Sequence, residues 1–202
     1  MKRKNILLAA ILAAFVFVLS PDVNGQKTLA IGSIMEDFKL TDTTGKEQSF
    51  NSLKGEKGTV LVFLSAQCPV VKGYNERINQ IAADYASKGI NFIGINSNAT
   101  ESLEWVKSNA SEVGYKFPVL IDTGAVLADK LGASVTPEVY YFDPKNVLLY
   151  HGAIDNSRKG DNITDNYLRI AFDASLSGKK IEKTRINAFG CSIKKKAEEA
   201  KN

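Results

Sequence analysis

The sequence predicts an α/β domain in which a mixed central sheet is covered by helices on both faces. Short apolar runs of strand length alternate along the chain with segments whose apolar residues recur every three or four positions. A pair of strand-like runs joined by a turn follows, which adds antiparallel strands to the sheet. With 202 residues, of which 44% are hydrophobic, the chain is long enough to bury one substantial core, and a single domain is expected.

The central unit of this pattern is a strand followed by a helix. Residues 59–64, TVLVFL, are rich in β-branched and aromatic side chains, as is typical of a strand buried on both faces. Pro69 suits the first position of the helix, where its missing N–H needs no partner. The helix is predicted from five residues at steps of three and four, namely Val71, Tyr74, Ile78, Ile81 and Tyr85.

Cys68 lies at the junction between this strand and this helix, and it is the candidate reactive residue. The start of a helix offers unpaired N–H groups and the positive end of the helix dipole, which lower the pKa of a thiol. The thiolate is the nucleophilic form of cysteine, so the position predicts a reactive sulfur. The alternative is a buried, inert thiol or half-cystine.

The other predicted elements continue the alternation. Residues 38–50 suggest a small hairpin, and residues 51–58 form a polar connection to the central strand. Asn98 and Glu101 resemble a capping box for the helix that follows. The remaining expected elements are strands at 90–95 and 117–121, a short helix at 125–131, a hairpin from 139–142 and 147–154, and a last helix at 163–176 with Tyr167, Ile170, Ala171 and Ala174 on its inner side.

Residues 1–25 are predicted to be an export signal. Three basic residues precede the apolar run 6–19, and Pro21 ends that run before an expected cleavage ahead of Gln26. The run is shorter than the roughly 20 residues that span a bilayer, so an uncleaved anchor is the alternative, and membrane contact is expected only in that case. The mature protein is expected to be periplasmic or secreted, where disulfides persist. The formal net charge of +4 gives no reason to expect a nucleic acid partner.

Four segments resemble parts of the exported redoxins of the alkyl hydroperoxide reductase/thiol-specific antioxidant superfamily, which have a thioredoxin-like fold. They span residues 35–195 of this chain. The segments are Leu53-Lys54-Gly55 leading to the central strand and Cys68-Pro69; Val135-Thr136-Pro137-Glu138-Val139, similar to the cis-proline loop that faces the reactive cysteine; the hairpin 141–155; and Gly190-Cys191-Ser192-Ile193-Lys194, similar to a cysteine-bearing tail of a peroxiredoxin-like branch.

The resemblance implies a thiol oxidoreductase, with antioxidant activity among its possible roles. Cys68 would attack a peroxide or a protein disulfide, another redox protein would supply electrons, and no bound cofactor is implied. Ser65 would stabilise the Cys68 anion, because it occupies the hydroxyl position of the peroxiredoxin pattern. The substrate groove would be formed by Thr136, Pro137, Pro69 and Gln67. A cis Thr136–Pro137 bond is expected, which would leave backbone groups free to pair with an extended substrate.

The chain also departs from the family patterns. Val71 occupies the second cysteine position of the Cys-x-x-Cys motif, which excludes that dithiol mechanism. Leu61 stands where peroxiredoxins have a proline. Arg158 is a candidate, by its order in the chain alone, for the arginine that polarises peroxide.

Cys191 is open to three interpretations. It could resolve an oxidised Cys68, form a static disulfide with Cys68 in a non-catalytic binding module, or remain a free or intermolecular thiol. Gly190 and the charged residues after Cys191 predict a mobile tail over 191–202, following a redoxin domain at 26–190, and this favours the resolving role.

His151 is the only histidine, and it is expected to be a half-exposed strand residue. Together with Cys68 and Cys191 it would offer soft ligands for a copper carrier. Thioredoxin-fold copper chaperones carry both cysteines close together in one loop, whereas this chain does not. No metal site is therefore predicted.

Overall fold

The computed structural model describes residues 28–195, and the predicted signal at 1–25 lies outside these residues. Within them, no helix combines the length and apolarity needed to cross a membrane. The helices are α1 (Phe50–Leu53), α2 (Pro69–Ala86), α3 (Leu103–Val113), α4 (Val126–Leu131) and α5 (Tyr167–Leu176). The strands are β1 (Lys39–Asp42), β2 (Glu47–Ser49), β3 (Gly58–Leu64), β4 (Ile90–Asn96), β5 (Val119–Ile121), β6 (Val135–Thr136), β7 (Glu138–Phe142), β8 (Leu148–Gly152), β9 (Arg185–Ile186) and β10 (Cys191–Ser192).

Eight of the strands form one mixed sheet in the order β2-β1-β5-β4-β3-β7-β8-β9. β3, β4 and β5 are parallel, because helical crossovers connect them, and the hairpin β7–β8 runs antiparallel to β3. The two remaining strands, β6 and β10, form a separate antiparallel pair beside the carboxyl end of β3.

Helices cover both faces of the sheet, as the sequence predicted. Val60 and Val62 of β3 point into a core formed with α2, α3 and α5, whereas Leu61 and Phe63 point into a second core with α1 and α4. This alternation on a fully buried strand requires apolar side chains at successive positions, which explains why β3 has no polar face. The thioredoxin-like arrangement of a mixed sheet between helices is confirmed.

Helix α2 buries all five residues that predicted it. Two other helices differ from the prediction. α1 was not expected, because four residues are too few to show a period, and it depends on a reciprocal cap between Ser49 and Ser52. α5 begins at Tyr167 rather than at 163, because the side-chain oxygen of Asn156 accepts the N–H groups of the residues just before the helix. The predicted inward position of Ile170 is wrong, since it is 58% exposed.

The expected capping box of α3 is also wrong. Ser102 caps this helix by accepting the N–H of Trp105, and the helix begins at Leu103. Glu101 instead accepts hydrogen bonds from the loop that follows β3, and the Asn98 side chain donates to the backbone oxygen of Leu64 at the end of β3.

Candidate active site

Cys68 follows β3 and is the N-cap of α2. Its sulfur accepts the N–H of Val71 at 3.5 Å, one of the donors at the helix start that have no intrahelical partner. The residue is only 1% exposed, so the sulfur is held within the protein rather than on its surface. Pro69 occupies the first helical position and is itself exposed.

The loop between β6 and β7 lies opposite Cys68. The Thr136–Pro137 bond is cis, as predicted. In its thiol form Cys68 donates to the backbone oxygen of Thr136, with 3.4 Å between the sulfur and the oxygen. Thr136 and Pro137 are both buried. The structure therefore brings the Cys68 sulfur and this loop together.

Cys191 approaches Cys68 from the other end of the chain. It lies directly opposite Thr136 in the antiparallel pair β10–β6, and both cysteines are free thiols. Cys191 also packs against the core that contains Cys68, and each thiol shifts the pKa of the other. Two cysteines that are far apart in sequence thus share one site.

The two thiols differ in acidity. Burial alone raises the pKa of Cys68, but hydrogen bonds from the Cys191 thiol, the Val71 N–H and Thr136 outweigh burial and place the pKa below its ordinary value. Burial raises the pKa of Cys191, and its hydrogen bond to Cys68 and the negative charge of the Cys68 thiolate raise it further. The directions of these two pKa shifts favour the thiolate form at Cys68 and the protonated form at Cys191.

Ser65 is near Cys68 in sequence, but its hydroxyl does not bond the sulfur as expected. It donates to the carboxylate of Glu101 at 2.5 Å. The same carboxylate accepts the N–H groups of Ala66 and Gln67 and the side-chain amide of Asn96. Because the anionic Glu101 is the stronger acceptor and lies within reach, Ser65 serves to hold the loop rather than to contact the thiolate.

Glu101 is a residue that sequence reasoning missed as part of the site. Its spacing from Asn98 was the available signal, and it was interpreted as a helix cap. In the structure Glu101 fixes residues 65–67, which immediately precede Cys68. Gln67 is exposed, and its side chain donates to the hydroxyl of Thr100, so it lies at the rim of the site rather than beside the sulfur.

Residues 191–195 of the predicted tail are packed against the domain in the structure. Ile193 is buried in the second core, and its N–H donates to the backbone oxygen of Ser134 at 2.9 Å. Lys194 donates its N–H to the Asn98 side chain and accepts the N–H of Ala99 at 2.7 Å. This segment is held by the buried side chain of Ile193, by hydrogen bonds of its backbone and by an ion pair between Lys195 and Asp129, and residues 196–202 lie outside the described part of the chain.

His151 is buried rather than half-exposed. Its Nε2 lies 2.5 Å from the Glu138 carboxylate, and its ring stacks on Tyr140. Glu138 also accepts the N–H groups of Ser134 and Val135, so it braces the loop before Pro137. Across residues 28–195, no three His, Cys, Asp or Glu side chains are grouped in a way that would hold a metal ion. His151 is thus engaged in supporting this loop.

The features associated with peroxide chemistry lie away from Cys68. Leu61 is fully buried in the second core, whereas Cys68 belongs to the first. The guanidinium of Arg158 stands over the ring of Phe189 at 5.4 Å, and no contact of Arg158 with either cysteine is present in the described part of the chain. The groups around the Cys68 sulfur are instead the Cys191 thiol, the N–H groups at the start of α2 and the backbone of β6.

Comparisons with known proteins agree with this chemistry. Residues 31–151 match the model of the AhpC/TSA family. The thiol-disulfide oxidoreductase ResA of Bacillus subtilis is 30% identical over 177 residues, covering 87% of this chain and 95% of ResA. The crystal structure of a hypothetical protein from Sinorhizobium meliloti is 34% identical with a TM-score of 0.78, covering 85% of this chain and 97% of that protein. Peroxidoxin BcpB of Mycobacterium tuberculosis is 20% identical with a TM-score of 0.59, covering 73% of this chain and 96% of BcpB, a likeness of fold alone.

Proposed function

The chain belongs to the AhpC/TSA family, and we propose that it is a thiol-disulfide oxidoreductase in which Cys68 is the nucleophile and Cys191 the resolving thiol. The thiol oxidoreductase activity agrees with the named activity of ResA, a relative over most of the chain. The pairing of β10 with β6 carries the proposal, because it sets Cys191 opposite Thr136, the residue whose backbone oxygen contacts the Cys68 sulfur. In a Cys-x-x-Cys motif the second cysteine is the resolving thiol, and Val71 occupies that position here. Cys191 of β10 would supply the resolving thiol instead.

The proposed reaction has two exchange steps. The Cys68 thiolate attacks one sulfur of a substrate disulfide, which forms a mixed disulfide and releases the other substrate sulfur as a thiolate that takes up a proton. Cys191 then loses its proton and attacks the Cys68 sulfur, which forms the Cys68–Cys191 disulfide and releases the second substrate thiol. The substrate gains two electrons and the protein loses two. A dithiol redox protein returns the protein to its reduced form.

A protein disulfide is the proposed substrate in preference to a peroxide. A peroxide mechanism benefits from donors that polarise the O–O bond beside the sulfur, but the Ser65 hydroxyl is bonded to Glu101 and Arg158 stands over Phe189. Disulfide exchange needs a thiolate, access to it and a resolving thiol. The lowered pKa of Cys68 favours the thiolate, and Cys191 is a second free thiol at the site.

Export is part of the proposal. The sequence of residues 1–25 motivates it, and a two-cysteine exchange site would operate where substrate disulfides persist. N-terminal sequencing of the protein from its native host should begin at or near Gln26, whereas recovery of the full-length chain from the cytoplasm would contradict export.

The electron donor is proposed only by class, as another dithiol protein.

The test is a comparison of two oxidants on the reduced protein. Mass spectrometry after limited exposure to a disulfide-containing unfolded protein, or to hydrogen peroxide, should detect a Cys68–Cys191 disulfide that forms faster with the protein disulfide. In Cys191→Ser, the first oxidant should trap a mixed disulfide on Cys68. Faster reaction with peroxide, and a trapped sulfenic acid, would assign a peroxidase instead. A disulfide that never exchanges would assign the binding module.

A further inference from the structure

The segment that carries Cys191 occupies the backbone edge beside Cys68. We name residues 190–194 the C-terminal strap. Within it, Cys191 and Ser192 pair with β6, the N–H of Ile193 donates to the oxygen of Ser134, and Lys194 bonds the loop that contains Asn98. The strap therefore spans the site from the loop before Pro137 to the loop after β4.

The strap fills the position at which an extended substrate would add to the protein. β6 is a two-residue strand that pairs only with β10 among the described elements. An extended polypeptide that binds beside a cysteine gains affinity from main-chain hydrogen bonds to such an edge. The hydrogen-bonding groups of β6 that would provide this affinity are already used by the strap.

The Cys68 sulfur is also covered from solvent. Cys68 is 1% exposed, yet exchange requires a substrate sulfur to reach the Cys68 sulfur. The neighbouring loop 65–67 is tied down by Glu101, and α2 is anchored in the first core. The strap is held by one buried side chain and a few backbone bonds, so it is the covering element with the lowest expected cost of local opening.

Gly190 fits the strap to this edge. A Cβ at residue 190 would lie 1.9 Å from the backbone oxygen of Thr136 and 2.6 Å from its carbonyl carbon. These neighbours are backbone atoms, so they have no rotamer through which to move aside. Any side chain at this position therefore forces the strap away from β6.

We propose that the strap acts as a built-in occupant of the substrate groove, which an extended polypeptide carrying a disulfide must displace by pairing with β6. This inference rests on the proposed function, and it specifies the substrate as a flexible peptide segment. In the closed state the strap covers Cys68. After the mixed disulfide forms, return of the strap brings Cys191 to Cys68 and returns β6 to its original partner. Resolution and release of the reduced substrate are then one movement.

The test uses Cys191→Ser, in which Cys68 is the only thiol. The probe is an unstructured peptide whose single cysteine carries a thionitrobenzoate mixed disulfide, and iodoacetamide is the small reagent for comparison. Adding Gly190→Ala should raise the rate with the peptide by roughly tenfold or more, because reactivity scales with the fraction of open molecules. The matched control is Ser192→Ala, an exposed strap residue, which should change the rate by less than about twofold. Rates are compared at the high-pH plateau, so that a change in the pKa of Cys68 does not contribute.

A rate with the peptide that Gly190→Ala leaves unchanged would overturn the inference while leaving the proposed function intact. Failure of Cys68 to exchange at all would overturn the proposed function. Hydrogen exchange on the parent protein tests, without any substitution, whether the peptide displaces the strap. Saturation with the same peptide, carrying serine in place of cysteine, should remove protection from the amides of Ile193 and Ala99, which bond across the strap boundary. Unchanged protection at saturation would show that the peptide does not displace the strap.

Discussion

The two cysteines of the site are held in place by very different kinds of structure. Cys68 lies between a fully buried strand and an 18-residue helix, and both elements contribute side chains to the first core. Cys191 lies in a two-residue strand that is held mainly by backbone bonds and by the single buried side chain of Ile193. The sulfur that we propose to attack is thus part of two large elements, whereas the sulfur that we propose to resolve lies on a short segment with fewer contacts.

The largest expected effect is on turnover. Cys68→Ser should lower the rate of disulfide reduction by at least about a thousandfold, because no other residue supplies the nucleophile. Cys191→Ser should also stop turnover, but it should still allow one round of mixed-disulfide formation. The measurement is single-turnover thiol release with each variant. Equal burst amplitudes in both variants would mean that Cys68 is not the entry point.

A matched pair of isoleucines tests the difference in anchoring. Ile78 of α2 is 1% exposed and Ile193 of the strap is 7% exposed. Ile78→Ala should lower the free energy of unfolding by about 3–4 kcal/mol, since it leaves a cavity in the first core. Ile193→Ala should instead release mainly the strap, with loss of amide protection at Ile193 and Ala99 and a smaller global change. Denaturant unfolding and hydrogen exchange measure the two effects, and equal global losses would contradict the distinction.

The loop that precedes Cys68 provides a third test. Glu101→Gln replaces a carboxylate oxygen by an amide that points hydrogens at the donors of Ser65, Ala66 or Gln67. We expect a loss of about 2 kcal/mol in the free energy of unfolding and slower exchange at Cys68. Glu104→Gln makes the same chemical change three residues further along the chain and serves as the control. It should have little effect, because Glu104 is fully exposed. If Glu101→Gln leaves both stability and exchange unchanged, the carboxylate does not position the loop.

The smallest expected effect is on acidity. Cys191→Ala removes a hydrogen-bond donor, so the pKa of Cys68 should rise toward its ordinary value, and Cys191→Ser should raise it less because a hydroxyl can still donate. The pKa is measured from the rate of alkylation at Cys68 against pH, followed by peptide mapping. A pKa that falls in Cys191→Ala would show that Cys191 does not stabilise the thiolate.

The same shift has a consequence for stability. Because the folded-state pKa of Cys68 is lowered, its thiolate stabilises the fold fully above the unfolded-state pKa of about 8.5, and this contribution is lost as the pH falls through the folded-state pKa. Cys191 has a raised pKa, so its contribution is present below about 8.5 and is lost as the pH rises through its folded-state pKa. Cys191→Ala should therefore flatten the rise in stability on the approach to pH 8.5, a change that denaturant midpoints across this range would detect.

The same contrast explains what the sequence could predict. The elements around Cys68 repeat with the periods of a buried strand and an amphipathic helix, and these local patterns predicted β3, α2 and the position of the sulfur. The strap carries one apolar residue in a charged segment, and its fixed position results from backbone bonds to β6 and to Asn98, which no local pattern encodes. Glu101 was missed for a related reason, since its partners at 65–67 are on a different element. Contacts between distant segments were predicted only where a family resemblance indicated them, as for the cis Thr136–Pro137 loop that contacts Cys68.

We propose that Cys68 and Cys191 form one redox couple. Titration of the parent protein against a dithiol buffer, with the Cys68–Cys191 disulfide followed by mass spectrometry, tests this pairing. We expect a reversible intramolecular disulfide whose reduction potential lies above about −300 mV, the value below which structural disulfides of secreted proteins usually fall. A disulfide that remains oxidised well below that potential, or two thiols that never pair under oxidising conditions, would contradict it.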